Sequence, residues 1–203
     1  MGARAGADSV ARAIGGRVRQ GRNSRGWTLD QLAARSGVSR RMLVSIEQGS
    51  ANPSIATLLR ISDTLGIGLP ALVDMDRSPG LRVTRAGSAP VLWRGQLGGQ
   101  AVLVAGTEPP DITELWDWTL GPGESHSSEA HAAGTRELLL VLDGQVEVRA
   151  GEHAEVLTTG DSASFAGDLP HEYANAGPHV ARFALTVFEP GVGPGARSEA
   201  TGA

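Results

Sequence analysis

The residues with the most evident chemical potential are five histidines, all in the C-terminal half of the chain: His126, His131, His153, His171 and His179. Taken alone, histidines scattered over a surface are the ordinary interpretation. The sequence spacing around two of them, however, is not random: five residues separate His131 from Glu137, and three separate His171 from Asn175. Imidazole and carboxylate groups on adjacent strands are suitable ligands for Zn, Fe, Mn or Ni.

Charge is distributed unevenly along the chain. The 203 residues carry a formal net charge of −4, yet residues 1–73 contain ten Arg and four acidic residues, a net charge of +6. Residues 74–203 contain eight Arg and eighteen acidic residues, a net charge of −10. A basic block followed by an acidic one predicts two domains, the first of which binds a polyanion. An arginine-rich, solvated helical surface is the alternative.

The basic block has the apolar periodicity of short helices. We predict a flexible N-terminus over residues 1–9, then helices over residues 10–22, 28–35, 39–48 and 53–66, and a short final turn over residues 69–72. Thr28 and Gln31 have the spacing of a capping box. Two short helices joined by a turn that contains Gly37 form a helix-turn-helix.

The second helix of this pair has the two faces that a DNA-reading helix requires. Met42, Leu43 and Ile46 are predicted to pack inward. The outward face is predicted to carry Arg40, Arg41, Val44, Ser45 and Gln48. An arginine near the start of such a helix can donate two hydrogen bonds to guanine in the major groove.

The run from Trp27 to Ile67 resembles the lambda-repressor-like (XRE-type) DNA-binding domain. It contains L-x-x-L-A, G-V-S, N-P-S and a closing L-x-x-I-x-x-x-L-G-I in the family's order. The I-x-x-x-E signature is matched loosely, because Ile46 directly precedes Glu47. The resemblance covers about residues 10–73 and implies an all-α domain of five helices.

The same resemblance implies roles for individual residues. Base- and backbone-contacting positions are Ser39, Arg40, Arg41 and Ser45. Phosphate-contacting positions are Thr28, Asn52 and Ser54. Glu47 is expected to be structural and to pair with Arg22 of the first helix. A degenerate helix-turn-helix that no longer binds DNA is the alternative.

The acidic block alternates apolar and polar residues between turn residues, which is typical of an antiparallel sandwich or barrel. Ten strands are predicted, over residues 81–86, 91–93, 101–105, 112–120, 137–142, 145–149, 154–157, 162–165, 172–174 and 182–188. Asp143-Gly144 is a two-residue hairpin signal. Residues 74–80 are predicted to be a linker, and residues 190–203 a disordered tail.

Two segments of this block resemble the conserved motifs of the cupin family. They are His131-x5-Glu137-x6-Gly144 and Gly160-x10-His171-x3-Asn175. The resemblance implies a jelly-roll barrel over residues 81–189, with His131, Glu137 and His171 as ligands of a divalent metal. The family's second histidine is Ala133 here, and His126 is a candidate replacement. A metal-free binding pocket is the alternative.

Alternation along the strands predicts an effector pocket beside this site. If Glu137 points inward, Leu139 does too, and if His171 points inward, so does Tyr173. The predicted pocket residues are Trp116, Trp118, His126, Leu139 and Tyr173. For the two tryptophans, packing in the core is the alternative. His153 and His179 lie beside turn residues and are expected to be solvated.

The predicted fold class is therefore α+β multidomain, a five-helix lambda-repressor-like domain followed by an all-β cupin domain. This arrangement resembles a family of bacterial one-component transcriptional regulators. We expect a homodimer that binds a palindromic double-stranded operator, with a small-molecule effector, a divalent metal or both in the cupin domain. One alternative is a mononuclear metal-dependent cupin enzyme, similar to the phosphonate epoxidases, which retain the histidine that Ala133 replaces. Another is an antitoxin- or scaffold-like interaction protein.

Composition excludes several other classes. The chain has no Cys, so a disulfide scaffold and a thiolate metal site are ruled out. No run approaches the ~18 apolar residues that a membrane span requires. The N-terminus lacks the apolar core of a signal peptide. We therefore expect a cytoplasmic protein without a membrane partner.

Overall fold

The computed structural model describes residues 2–73 and 81–192, with side chains from residue 10 onward. The predicted linker and residues 193–203 of the predicted tail lie outside these ranges. The chain divides into two compact units, one built on residues 1–83 and the other on residues 84–107 and 111–190. We call them the helical unit and the strand unit. Among the described helices, none is long and apolar enough to cross a membrane.

The described part of the helical unit contains the five predicted helices. They are α1 (Gly2–Ser24), α2 (Leu29–Ser36), α3 (Arg40–Glu47), α4 (Ile55–Leu65) and α5 (Gly68–Val73). The start of α1 differs from the prediction, because the helix begins at Gly2 and includes most of the segment that was expected to be flexible. That segment, GARAGADS, contains no proline, and its alanines favour helix.

Local capping sets the other helix ends. Thr28 and Gln31 form the predicted capping box at the start of α2, and Ser39 and Ser54 cap α3 and α4. Gly37 and Gly66 end α2 and α4 in the left-handed conformation, with φ of 66° and 58°. A glycine adopts that conformation without the steric cost that a Cβ brings.

The core of the helical unit is aliphatic. Its most deeply buried side chains include Val18, Leu32, Leu43, Ile46, Leu58, Ile61, Leu65, Leu69 and Leu72. Met42 was predicted to belong to this core, but it is 39% exposed. It lies in the first turn of α3, directly after the exposed Arg40 and Arg41.

The described part of the strand unit contains ten strands. They are β1 (Val91–Arg94), β2 (Gln100–Gly106), β3 (Ile112–Leu120), β4 (Ser125–Ser128), β5 (Arg136–Asp143), β6 (Gln145–Ala150), β7 (His153–Thr158), β8 (Ser162–Ala166), β9 (His171–Ala174) and β10 (Ala181–Glu189). All the strand pairings among the described residues are antiparallel. The six-stranded sheet has the order β1-β2-β3-β10-β5-β8, and the four-stranded sheet has the order β4-β9-β6-β7.

Three details differ from the sequence prediction. Residues 81–86 form no strand, because Leu81 and Val83 are exposed and have no core to enter. Strand β4 was missed, since its sequence SHSS has no apolar residue. The Asp143-Gly144 turn does not close a hairpin, because β5 and β6 belong to different sheets. It is a corner at which the chain crosses from one sheet to the other.

The core of the strand unit lies between the two sheets. Trp118 of the six-stranded sheet has its ring 5.7 Å from the ring of Tyr173 of the four-stranded sheet. On β5, Glu137, Leu139 and Val141 are buried while the residues between them are exposed. The predicted inward direction of Glu137 and Leu139 is therefore confirmed, and a carboxylate lies in this core.

Candidate nucleic-acid interface and metal centre

The helix-turn-helix consists of α2, the turn at residues 37–39 and α3. Val38 in the turn is buried, as are Leu32 of α2 and Leu43 of α3, so apolar packing fixes the two helices against each other. This packing leaves the opposite side of α3 at the surface. The arrangement has the layout of a DNA-reading pair of helices, in which the second helix presents its exposed side to a groove.

Arg40 and Arg41 open α3, and both are exposed. Nε of Arg40 lies 3.1 Å from Oδ1 of Asp30, and both side chains of this pair are mostly exposed. An exposed ion pair contributes about 0–1 kcal/mol, so Arg40 can exchange Asp30 for a phosphate or a base at little cost. This partner of Arg40 was not predicted from the sequence.

The three hydroxyl residues predicted to contact DNA, Thr28, Ser39 and Ser54, all cap helices. Each hydroxyl oxygen accepts a hydrogen bond, at 3.2 Å, from the backbone N–H three residues later. A hydroxyl that accepts from its own helix keeps its O–H, which can donate to a phosphate oxygen. Asn52 is exposed and Ser45 is half-buried. DNA contact by these residues stays a prediction.

Glu47 has the structural role that was predicted for it. Arg22 donates two hydrogen bonds to its carboxylate, from Nε at 2.6 Å and from a terminal nitrogen at 2.8 Å, and Arg19 lies 3.3 Å away. Burial of Glu47 favours the neutral acid, but the arginines outweigh it and lower the pKa of Glu47. The pair joins α1 to α3 and so holds the reading helix in place.

Sequence reasoning missed a cluster next to Thr28. The guanidinium of Arg35 lies 4.6 Å from the ring centre of Trp27, and that of Arg25 lies 5.8 Å from it. Cations over an aromatic face are attracted by its quadrupole. Trp27 precedes the capping box and Arg35 follows it, eight positions later. Helical periodicity does not predict a contact at this spacing.

In the strand unit, three side chains converge as predicted. Nε2 of His131 and Nε2 of His171 each lie 3.2 Å from Oε1 of Glu137. The ligand atoms of the three residues all lie within 4.8 Å of one another. His131 lies in the loop before β5. Glu137 is the second residue of β5, and His171 is the first residue of β9. The two sheets thus bring the cluster together.

The protonation of His171 can be inferred from its neighbours. Its Nδ1 lies 2.8 Å from the carbonyl oxygen of Leu169. A carbonyl oxygen only accepts, so Nδ1 carries a proton, and in the neutral ring Nε2 has a lone pair that faces Glu137. Ligating histidines are oriented by such a second hydrogen bond.

This geometry fits a bound cation. Nε2 of His171 and Oε1 of Glu137 are buried, and neither has a well-oriented hydrogen bond within the described residues. Two lone pairs that face each other repel unless a proton or a cation lies between them. Two imidazoles and one carboxylate are a donor set that divalent transition metals accept.

The charges around Glu137 agree with this interpretation. Burial favours its neutral form, but His131, His171 and Tyr173 outweigh burial and lower the pKa of Glu137 to about 2. Tyr173 donates its hydroxyl to the other carboxylate oxygen. Burial raises the pKa of Tyr173 well above its usual value, and the Glu137 carboxylate adds to the effect. Glu137 is therefore held as an anion that faces two imidazoles.

His126 is not among the converging ligand atoms. It therefore does not take the place of the family's second histidine, which is Ala133 in this chain. Its ring packs against two tryptophans, with centre distances of 4.8 Å to Trp118 and 5.1 Å to Trp93. Burial lowers the pKa of His126 to about 4, and the charge of His171 acts in the same direction. Among the described residues, the converging set comprises His131, Glu137 and His171.

The predicted pocket residues divide into two groups. Trp118, His126 and Tyr173 lie together, and Nε1 of Trp118 is buried without a hydrogen-bond partner among the described residues. In the second group, Trp116 donates its indole N–H to Glu114 at 2.9 Å, although its ring also lies 6.1 Å from that of Trp118, and Leu139 is buried on β5. The sequence missed three aromatic neighbours of this cluster, Trp93, Phe165 and Phe183. They lie on other strands, and the alternation of apolar and polar residues along a strand does not predict which side chains of different strands touch.

Other predictions for this unit have simpler outcomes. His153 and His179 are exposed, as expected. An open cavity of about 330 Å³ lies elsewhere on the strand unit, lined by residues that include Glu124, Arg149 and Glu172. It does not coincide with the predicted effector pocket.

Comparison with known proteins agrees with this geometry. A helix-turn-helix family model matches residues 18–72, and a cupin domain model matches residues 116–188. The HTH-type transcriptional regulator SutR of Escherichia coli (strain K12) is 27% identical over 186 residues, which cover 90% of this chain and 98% of SutR. An uncharacterized HTH-type transcriptional regulator of Sinorhizobium fredii, y4dJ, is 35% identical over 60 residues, which cover 30% of this chain and 78% of that protein.

A solved structure extends the likeness to both units. The crystal structure of an HTH_3 family transcriptional regulator from Vibrio cholerae has a TM-score of 0.67 and 27% sequence identity, and the match covers 91% of this chain and 99% of that one. The predicted fold class is thereby confirmed. With a matched helix-turn-helix, a matched cupin domain and regulators as its relatives, the chain belongs to the XRE-type helix-turn-helix transcriptional regulators that carry a C-terminal cupin domain.

Proposed function

We propose that this DNA-binding regulator acts as a cytoplasmic homodimer on a palindromic operator, and that its cupin domain binds a divalent metal through His131, Glu137 and His171. A small-molecule effector in the same domain completes the proposal. The single observation that carries it is the convergence of two imidazoles and one carboxylate on a buried point, where Nε2 of His171 and Oε1 of Glu137 lie 3.2 Å apart without a well-oriented hydrogen bond among the described residues.

The proposed operator contact uses the start of α3. Arg40 and Arg41 read base edges or phosphates, and Thr28, Ser39, Asn52 and Ser54 donate to phosphates around them. One recognition helix covers few base pairs, so a palindromic site and two copies of the chain raise both affinity and specificity. Since the contacts are with phosphates in large part, operator affinity is expected to fall steeply with salt.

The residues of the proposed metal site have two roles, as ligands and as groups that hold the ligands in place. His131, Glu137 and His171 supply the ligand atoms, while Tyr173 holds Glu137 and the carbonyl of Leu169 holds the His171 ring. A divalent metal held by these three residues would supply open coordination positions for an oxygen or nitrogen of an effector. The N–H of Trp118, which has no hydrogen-bond partner among the described residues, favours the same kind of effector, one with hydrogen-bond acceptor atoms.

Regulation follows from linkage between the two units. An effector that binds better in one dimer geometry shifts the population toward it, and the spacing of the two recognition helices changes with that geometry. Operator affinity then depends on effector concentration. By reciprocity, the operator changes effector affinity by the same factor.

We favour a regulator over a metal-dependent enzyme. Ala133 is exposed at the place where the enzyme-like cupins retain a histidine, and the helix-turn-helix keeps both arginines of its reading face. An O2-uptake assay of the metal-loaded chain distinguishes the two. The proposal expects no turnover above that of free metal, whereas stoichiometric iron with sustained turnover would support the enzyme.

The metal site is tested by elemental analysis of the purified chain and of His171→Ala. We expect a divalent metal near one equivalent in the wild type and its loss in the variant. His153→Ala is the matched control, because His153 is exposed and lies on β7, outside the cluster. Retention of the metal by His171→Ala would show that the ligands are other residues.

A further inference from the structure

The outward side of the six-stranded sheet exposes large apolar side chains. Leu115 on β3 is 41% exposed, Leu138 and Leu140 on β5 are 56% and 43% exposed, and Phe188 on β10 is 38% exposed. We call the side defined by these four residues the leucine face. Soluble monomers rarely leave large contiguous apolar patches uncovered.

Strand register makes the leucine face continuous. Thr186 of β10 lies between Leu115 and Leu138, and pairs with both. Across β5, Leu138 pairs with Ser164 and Leu140 pairs with Ser162. Leucines thus alternate with small or hydroxyl residues over this part of the face, which is the composition of a flat surface that packs against another. The nearest charge is Asp117, which pairs with Ala184 in the row of Leu140 and forms an ion pair with Arg182.

The outward side of the other sheet is different. There Arg149 donates to Glu147 at 2.7 Å, and Ser127 donates to Glu172 at 3.1 Å. A large apolar residue, Val156, is exposed on β7 but pairs with Glu147. A charged and hydrogen-bonded surface of this kind is already satisfied in water. The leucine face is therefore the sheet surface that gains most from being covered.

Opposite charges at the two ends of the leucine face favour a second copy of the chain as its binding partner. Arg136 is exposed at the start of β5, and Asp143 is exposed at its end, opposite Arg182. Arg182 is already paired with Asp117 by two bonds of 2.9 Å, so that among the described residues Asp143 has no ion-pair partner. If two faces stack with their strands reversed, Arg136 of each copy meets Asp143 of the other.

The size of the face also suits a dimer. The six strands are four to nine residues long, and with about 4.8 Å between strands and a rise of about 3.4 Å per residue they give a sheet face of roughly 690 Å². A standard interface buries about 800 Å² per partner. Stacking two such sheets about 10 Å apart is an ordinary arrangement for β structures.

We propose that the leucine face is the homodimer interface, formed about a two-fold axis that lies across the strands, so that Leu138 and Leu140 of both copies meet at its centre and Arg136 pairs with Asp143 at its two ends. This inference rests on the proposed homodimer and adds which surface forms it.

Light scattering on the full-length chain without DNA tests the face. We expect a dimer in the wild type and a monomer, or at least a tenfold weaker dimer, in Leu138→Asp. Val156→Asp is the matched control, because it places the same charge at an exposed apolar position on the other sheet, and it should stay dimeric. A Leu138→Asp variant that dimerises as tightly as the wild type would overturn the proposal, and so would a monomeric wild type.

A charge swap avoids any doubt about folding, because both residues involved are exposed. Arg136→Glu alone should weaken the dimer several-fold, and adding Asp143→Arg should restore it. If the second substitution gives no recovery, the reversed stacking is wrong. Binding to a single operator half-site and metal content are measured on the same variants. A dimer that persists in Leu138→Asp, with half-site binding and metal content intact, would overturn this interface and leave the proposed function standing.

Discussion

The helical unit and the strand unit each bury a carboxylate, and they surround it in different ways. Glu47 meets two guanidinium groups, which are cations at every physiological pH. Glu137 meets two imidazoles and a phenol, none of which carries a fixed charge. In both cases the neighbours lower the pKa of the carboxyl below its usual range.

The difference separates a structural ion pair from a chemical site. Both carboxylate oxygens of Glu47 accept hydrogen bonds from arginines, so the pair needs no ligand. Around Glu137, one carboxylate oxygen and the facing nitrogen of His171 remain without a well-oriented partner among the described residues. Buried polar atoms of that kind are rare and call for an explanation. A cation is the explanation that this donor set supports.

The largest effect is expected from breaking the structural pair. Glu47→Ala leaves Arg22 without its partner in a mostly buried setting, and should lower the free energy of unfolding of the helical unit by about 3 kcal/mol. Chemical denaturation followed by circular dichroism measures it. Because the folded-state pKa of Glu47 is lowered, its contribution is present above the usual carboxyl pKa and is lost as pH falls through the lowered one. Equal stability of variant and wild type at neutral pH would contradict the structural role.

The second prediction concerns the reading face. Arg41→Ala should weaken operator binding by about 1–3 kcal/mol if a bidentate base contact is lost. Fluorescence anisotropy with the operator and with a scrambled duplex measures both affinity and specificity. Gln20→Ala, an exposed position on α1, is the control and should bind like the wild type. Unchanged affinity in both Arg40→Ala and Arg41→Ala would exclude this helix start as the reader.

The third prediction tests the support of the metal site. Tyr173→Phe removes the hydroxyl that donates to Glu137 while keeping the ring, so metal affinity should fall about 10–100-fold. Competition with a chromogenic chelator measures it. His179→Phe, at an exposed position outside the cluster, should leave metal affinity unchanged. If Tyr173→Phe binds metal as the wild type does, the phenol has only a packing role.

The smallest effect is expected from the exposed pair. Asp30→Asn removes the partner of Arg40, and should change the free energy of unfolding by less than about 1 kcal/mol. Operator affinity should rise slightly, because Arg40 no longer has to leave a carboxylate. Anisotropy at low salt resolves such a change best. A loss of affinity in Asp30→Asn would mean that the pair positions Arg40 rather than competing for it.

Much of the fold was predictable because its signals are local. The capping box at Thr28 and the glycines that end α2 and α4 lie within a few residues of the ends they set. The converging ligands were also found, since their spacing around β5 and β9 is regular. The Glu47–Arg22 pair is not local, since 25 positions separate the two residues, and it was predicted from the family resemblance alone.

The remaining features depend on contacts between distant parts of the chain. The turn at Asp143-Gly144 has the local chemistry of a hairpin, but the sheet to which β6 belongs is decided by its pairing with β7 and β9. Strand β4 has no apolar residue and forms only because β9 lies beside it. The contact of His126 with Trp93 joins two strands about thirty residues apart, and no alternation pattern encodes it.

We propose that a signal bound in the strand unit changes how the helical unit holds DNA. The decisive measurement is the operator affinity of the full-length chain after chelation and again after one equivalent of divalent metal. Affinity is expected to differ at least several-fold between the two states in the wild type and to be the same in both for His171→Ala. If the wild type binds its operator equally well with and without metal, while elemental analysis shows the metal bound, the cupin site does not signal to DNA through its metal.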